Sequence, residues 1–161
     1  MKCGIQVLHF GKLGNNIMNN RILTEDLEYI YNGLSNTEIE KFDGSTVLIT
    51  GCAGFLGYYF LKFLTECSEL LNIKKIIGLD NFMLGRPGWV NNLGKKENVI
   101  IREFDIIKDD IKGYEDADFV IHMASIASPI FYRKYPIQTL DANIWGLRKL
   151  FDFYQDKDIK G

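Results

Sequence analysis

The sequence predicts an α/β fold: a doubly wound parallel sheet, incomplete at about four strands, with an N-terminal helical appendage. Three observations predict it. Short β-branched runs recur along the chain with helical or loop material between them, the alternation that a parallel sheet requires. A glycine cluster joins the first of these runs to an amphipathic helix. The chain has 161 residues, enough for one domain with its own core and too few for a two-domain enzyme of ordinary size.

Residues 1–44 read as the appendage. The stretch Met1 to Arg21 fits either a loose hairpin or an arm. Thr24 then reads as an N-cap ahead of Glu25, Asp26 and the helically spaced Leu27, Ile30, Tyr31 and Leu34. A second short helix is expected from Ser35 to Phe42, closed by a turn at Asp43 and Gly44.

Residues 45–161 read as the sheet domain. Val47, Leu48 and Ile49 form a run suited to a strand buried on both faces. Phe55 to Leu71 follows, with Phe55, Leu56, Tyr59, Phe60, Phe63, Leu64 and Cys67 at helical spacing. Further strands are expected at Lys75 to Asp80, Val99 to Phe104 and Phe119 to Met123. A last helix is expected from Pro136 to Tyr154, with Ile137, Leu140, Ile144, Leu147, Leu150 and Phe151 facing the sheet.

Composition narrows the function. Charged residues make up 25% and hydrophobic residues 47%, which excludes a disordered or fibrous chain. Basic residues number 19 and acidic residues 21, so charge offers no broad case for nucleic acid or an anionic membrane, and small ligands become the expected partners. Aromatic residues, 13% of the chain, are expected in core and interface packing. Cys3, Cys52 and Cys67 form no CxxC pair, and an odd count argues against a disulfide framework; the expected setting is reducing and cytoplasmic. No apolar run approaches the ~18 residues of a membrane span. His9 and His122 lie far apart without a Cys/His cluster, so no metal site is expected, and His122 reads as a strand residue.

Gly51-Cys52-Ala53-Gly54-Phe55-Leu56-Gly57 is a GxxGxxG loop between strand and helix. Glycine there permits the tight turn, the close approach of a pyrophosphate and close helix packing, and the helix N-terminus aims N–H groups and a positive dipole at phosphate. Asp80 ends the next strand, close to the ~20-residue spacing at which a carboxylate meets an adenosine ribose. It would accept bonds from both ribose hydroxyls and repel a 2′-phosphate, favouring NAD over NADP, although Arg86 nearby could serve such a phosphate. Together these features make the expected fold Rossmann-like.

Thr50 to Gly57, Asp80-Asn81-Phe82, Asp105-Ile106, His122-Met123-Ala124-Ser125 and Asn143 with Gly146, in that order, resemble the extended short-chain dehydrogenase/reductases of the NAD-dependent epimerase/dehydratase family that act on nucleotide sugars. The stretches Asp80 to Arg86 and Ala124 to Ile137 are most similar to the UDP-glucuronate decarboxylases of that family. The resemblance runs from about residue 45 to the end. It implies NAD as cofactor, with the amide groups of Gly51, Gly54, Phe55, Leu56 and Gly57 at the pyrophosphate and Asp80, Asn81 and Phe82 at the ribose. It further implies that Asp105 bonds the adenine amino group, that Ile106 packs on the ring, and that Met123, Ala124 and Ser125 lie under the pyrophosphate and nicotinamide ribose. Asn143 reads either as a hydrogen-bonding residue inside the last helix or as an ordinary polar helix position. Ser128 and Tyr132 would face a nucleotide-sugar substrate, and a homodimer would form through helices that include the last one.

In the resembled family the chemistry needs a Ser or Thr and a Tyr-x-x-x-Lys pair after a fifth strand. The only local match, Tyr58 to Lys62, lies on the helix after the glycine loop and reads as a packing pair. No catalytic residue is therefore assigned, and the 161 residues are expected to be the N-terminal, cofactor-binding portion of an enzyme, inactive alone. The rival expectation is a non-catalytic dinucleotide-binding or regulatory module.

Overall fold

The computed structural model describes residues 21–161. Of the stretch Met1 to Arg21 read as hairpin or arm, all but Arg21 lies outside the described residues, Cys3 and His9 included.

Four parallel strands form one sheet: β1 (Thr46–Thr50), β2 (Lys75–Asp80), β3 (Val99–Glu103) and β4 (Phe119–His122), in the order β3-β2-β1-β4. The register sets Ile49 beside Gly78 and Ile121, and Thr50 beside His122. β1 is central, and Val47, Leu48 and Ile49 are fully buried, which is why it reads as an unbroken apolar run. Alternation sends Val47, Ile49, Ile76 and Val99 to one face and Leu48, Ile77 and Leu79 to the other. Phe104, at the expected end of β3, follows the strand and is buried with the second set.

The first face is covered by α3 (Phe55–Glu66), α4 (Gly88–Leu93) and α1 (Arg21–Gly33), which adds Leu23, Leu27 and Tyr31 to the core. α1 already begins at Arg21, so Thr24 lies inside it rather than capping it. α2 (Asn36–Phe42) has Ser35 as N-cap, with its side chain accepting from the Glu38 amide and the Glu38 carboxylate accepting in return from the Ser35 amide. Its Phe42 stacks on Phe119 of β4 at 5.0 Å. α3 stops at Glu66, short of the expected Leu71; Cys67 caps it and turns follow to Asn72, which takes a positive φ of 47°.

The second face is covered by the last helical segment: α6 (Pro136–Asp141), a π-helical turn (Ala142–Gly146) and α7 (Leu147–Tyr154), preceded by the short α5 (Pro129–Lys134). The extent matches the sequence reading, but of the residues expected on the buried face only Leu150 is there. Ala142, Gly146, Leu150 and Tyr154 face the sheet, while Ile137, Leu140, Ile144, Leu147 and Phe151 are exposed. The reason is steric. A Cβ at Gly146 would stand 3.0 Å from two carbons of Ile106, so a row of small residues lets the helix lie close to the loop after β3. The bulky residues are left on the opposite side. Lys160 and Gly161 donate to the Asp118 carbonyl and Gly161 accepts from Val120, so the last residues run beside β4.

Candidate functional site

The loops that follow β1, β2, β3 and β4 meet at the carboxyl ends of the strands around a crevice of about 680 Å3, a volume suited to a small molecule. The topology places it there, because strand order reverses between β1 and β4 and the loops on either side of that point diverge. Of the residues expected at a site, Gly51, Gly54, Asp80, Asn81, Asp105, Ile106, Met123, Ala124 and Ser125 line the crevice. Phe55, Leu56 and Gly57 continue from its floor into α3, Phe82 donates its amide to Asp80 without lining the crevice, and Asn143 stands behind Ser125.

The three glycines have three different causes. Gly51 has a φ of +70°, and a Cβ there would meet the Met123 carbonyl oxygen at 2.4 Å. A Cβ at Gly57 would meet the Cys52 carbonyl at 2.3 Å, so this glycine lets the helix close on the loop. Gly54 differs. Its φ is −75° and an added Cβ would touch only the Gly51 carbonyl, at an ordinary 3.4 Å. Nothing in the protein requires Gly54 to lack a side chain. Gly54 is also the N-cap of α3 without a side-chain cap, so first-turn amides lack an intrahelical partner at the crevice floor.

Asp80 ties two loops together. Its Oδ2 accepts from the Ala53 amide at 2.9 Å and its Oδ1 from the Phe82 amide at 2.8 Å. Phe82 has a positive φ of 50°, and its ring lies under the Arg86 guanidinium at 4.4 Å, while Arg86 Nε donates to Asn91. Burial, and after it the Asp80 carboxylate, pushes the Cys52 thiol up to about 12, so it remains a neutral thiol in the loop.

Asp105 begins a self-bonded turn: the Ile107 amide donates to its Oδ1 at 3.0 Å, Lys108 pairs with its Oδ2 at 3.1 Å, and its own amide donates to Asp109. Burial works against its ionisation, but the Ile107 amide and the Lys108 ammonium outweigh it and hold the carboxyl below the usual range. Ile106 is 5% exposed and packs on Gly146.

Asn143, in the π-helical turn, donates to Ser125 Oγ at 2.8 Å and to the Thr139 carbonyl at 2.7 Å, so it holds the loop after β4. His122 joins three elements. Its Nε2 lies 3.2 Å from the Ala142 carbonyl, which only accepts, so Nε2 carries the proton and Nδ1 accepts from the Thr50 hydroxyl at 2.7 Å. Burial pushes its pKa below the usual imidazole value, against the pull of the Ala142 carbonyl.

Ser128 caps α5 without a side-chain bond, and Tyr132 is half-exposed on the same helix; neither lines the crevice. Sequence reasoning missed Gln138 and Asp141, which line it from α6, and Lys149, whose ammonium donates to the Ile107 and Asp109 carbonyls. No periodicity or motif marks these residues. Among the described residues no group of three His, Cys, Asp or Glu side chains is placed to hold a metal ion, and no helix is long and apolar enough to cross a membrane.

This arrangement has relatives. Residues 47–160 match the model of the NAD dependent epimerase/dehydratase family. UDP-glucuronic acid decarboxylase 1 of Danio rerio is 34% identical over 110 residues, covering 67% of this chain and 24% of that protein. The UDP-N-acetylglucosamine 4-epimerase of Methanobrevibacter ruminantium M1, solved with UDP-N-acetylmuramic acid, is 28% identical with a TM-score of 0.61 and covers 73% of this chain and 36% of that one. A dTDP-glucose 4,6-dehydratase of Streptomyces venezuelae, solved with NAD, shares the fold at a TM-score of 0.58 and 18% identity, over 71% of this chain and 37% of that one. The chain thus spans about a quarter to two-fifths of the length of these relatives. It belongs to the NAD dependent epimerase/dehydratase family, and the cofactor of that family is NAD.

Proposed function

We propose that the crevice holds NAD, with the pyrophosphate on the loop Gly51–Gly57, the adenosine ribose on Asp80 and the adenine against Asp105 and Ile106. Gly54 carries this reading: it lacks a Cβ that the protein itself would tolerate, at the N-terminus of an uncapped helix. Asp80 keeps lone pairs free on both oxygens for ribose hydroxyls, and its charge disfavours a 2′-phosphate. The Phe55, Leu56 and Gly57 amides extend the phosphate cradle, and Asn81 and Phe82 flank the ribose. Met123, Ala124 and Ser125 run under the pyrophosphate and nicotinamide ribose, with Asn143 steadying Ser125.

Residues 45–161 form the cofactor-binding unit in this reading and residues 1–44 an appendage, whose α1 braces the first face. The whole enzyme acts on a nucleotide sugar, as the decarboxylase and epimerase relatives are named for doing. When bound, NAD supplies a hydride acceptor and donor at a sugar ring carbon, and the transient ketone permits decarboxylation, elimination or epimerisation. The 161 residues alone do not turn over: Tyr58 is packed edge-on to Trp89 at 5.0 Å, Lys62 is paired with Glu66 at 2.8 Å, and neither lines the crevice. The buried free thiols of Cys52 and Cys67 suit a reducing compartment, and cytoplasmic residence follows in this reading.

A homodimer through the last helix belongs to the same proposal. Ile137, Leu140, Ile144, Leu147 and Phe151 repeat at the three-four spacing of a helix-packing seam, and all are exposed beside Trp145.

Calorimetric titration with NAD and NADP tests the reading, with binding of NAD at least about tenfold tighter expected from the charge of Asp80. Equal or tighter binding of NADP, or no binding of either, would overturn it. Incubation with NAD and UDP-glucuronate should yield neither product nor NADH, and turnover would refute the inactivity of the chain alone.

A further inference from the structure

We infer that Lys149 is a positioning residue for the base-reading end of the crevice: by holding two carbonyls of the loop after β3, its ammonium fixes the segment that carries Asp105. The inference rests on the proposed reading, in which Asp105 meets the adenine amino group, and adds to it a residue that does not line the crevice.

The geometry runs through four residues. Lys149 Nζ donates to the Ile107 carbonyl and to the Asp109 carbonyl, both at 2.9 Å. Donors that carry charge make the stronger class of hydrogen bond, and two acceptors on one ammonium restrain the loop at two points. Within the loop, the Asp109 carboxylate accepts the Asp105 amide at 2.7 Å, and the Ile107 amide donates to Asp105 Oδ1 at 3.0 Å. Both residues that Lys149 holds therefore bond Asp105 directly. Gly146, one turn earlier, adds a second hold, because its missing side chain admits Ile106 to the helix. The loop's own cations do not tie it to the helix: Lys108 is exposed and pairs with Asp105, and Lys112 pairs with Asp110.

The consequence is separable from general binding. Asp80 meets the start of that loop only through its backbone carbonyl, which accepts from the Phe104 amide at 2.9 Å, while its carboxylate is held by Ala53 and Phe82, so removing the ammonium should leave the pyrophosphate and ribose contacts intact. What should suffer is discrimination at the base. Hypoxanthine presents a carbonyl oxygen where adenine presents an amino group, and a well-placed carboxylate accepts from the second and repels the first.

The test compares the affinities of NAD and nicotinamide hypoxanthine dinucleotide by calorimetry for three proteins. The unaltered chain should prefer NAD by about tenfold or more, the scale of one hydrogen bond to a charged group. Lys149→Met should bring that preference to about threefold or less, with thermal stability of the unliganded protein little changed, and Lys149→Arg should restore it. A full preference in Lys149→Met, or an equal weakening of both dinucleotides, overturns the inference and leaves the proposed function standing. An unaltered chain that binds both equally overturns the inference together with the reading of Asp105. Should Lys149→Met fail to fold, Lys149→Gln, which retains a donor for one carbonyl, takes its place with the same outcomes.

Discussion

Asp80 Oδ2 accepts the Ala53 amide at 2.9 Å, so the carboxylate at the end of β2 is bonded to the middle of the loop that follows β1. One side chain thereby sets the spacing between two walls of the crevice. Asp80→Asn leaves an amide whose single oxygen cannot accept from both Ala53 and Phe82. We expect NAD affinity to fall at least about tenfold and stability by about 1–2 kcal/mol, measured by calorimetry and by urea denaturation. An unchanged affinity would remove Asp80 from the site.

Gly51 and Gly54 should respond oppositely to a side chain. Gly51→Ala forces a Cβ to within 2.4 Å of the Met123 carbonyl at a positive φ, and should destabilise the fold by about 3 kcal/mol or more. Gly54→Ser introduces a preferred N-cap with room for its Cβ, so thermal stability should hold or rise while NAD affinity falls more than about tenfold. Thermal melts with and without NAD separate the two effects.

The contrast shows what the sequence could carry. The strand Lys75 to Asp80 was legible to the residue because a strand buried on both faces is a continuous apolar run. The loop was legible for the same reason and from its glycines. The last helix was legible in extent but not in orientation: Ile144, Leu147 and Phe151 look like core, and only the closeness of Ile106 to Gly146 shows which face the sheet takes. Lys149 was not legible, because its partners are carbonyls about forty residues away and any sequence supplies carbonyls. Asn143 read two ways in the sequence, and in the fold its amide donates to Ser125 Oγ and to the Thr139 carbonyl.

His122 should make stability depend on pH. Its folded pKa lies below the ordinary value of about 6.5, so the unfolded chain takes the proton first. Its contribution is full above that value and declines as pH falls from about 6.5 toward the folded pKa, because burial penalises the protonated ring. Urea denaturation at pH 5 to 8 should show this decline, and it should be shallower in His122→Asn. Parallel pH profiles for the two proteins would show that His122 does not titrate on unfolding.

The exposed seam on the last helix should govern association. Leu147→Glu should shift sedimentation from dimer toward monomer and weaken self-association about a hundredfold or more, the scale of losing a central apolar anchor. Monomer stability should change little, since Leu147 is largely outside the core. A chain that sediments as a monomer without the substitution would contradict the proposed dimer.

The most direct measurement is an amide chemical-shift map of the isotopically labelled chain titrated with NAD. The account predicts saturable shifts concentrated at Gly51 to Gly57, at Asp80 to Phe82, at Asp105 to Ile107 and at Met123 to Ser125. Shifts gathered on another surface, or none at millimolar NAD, would contradict it.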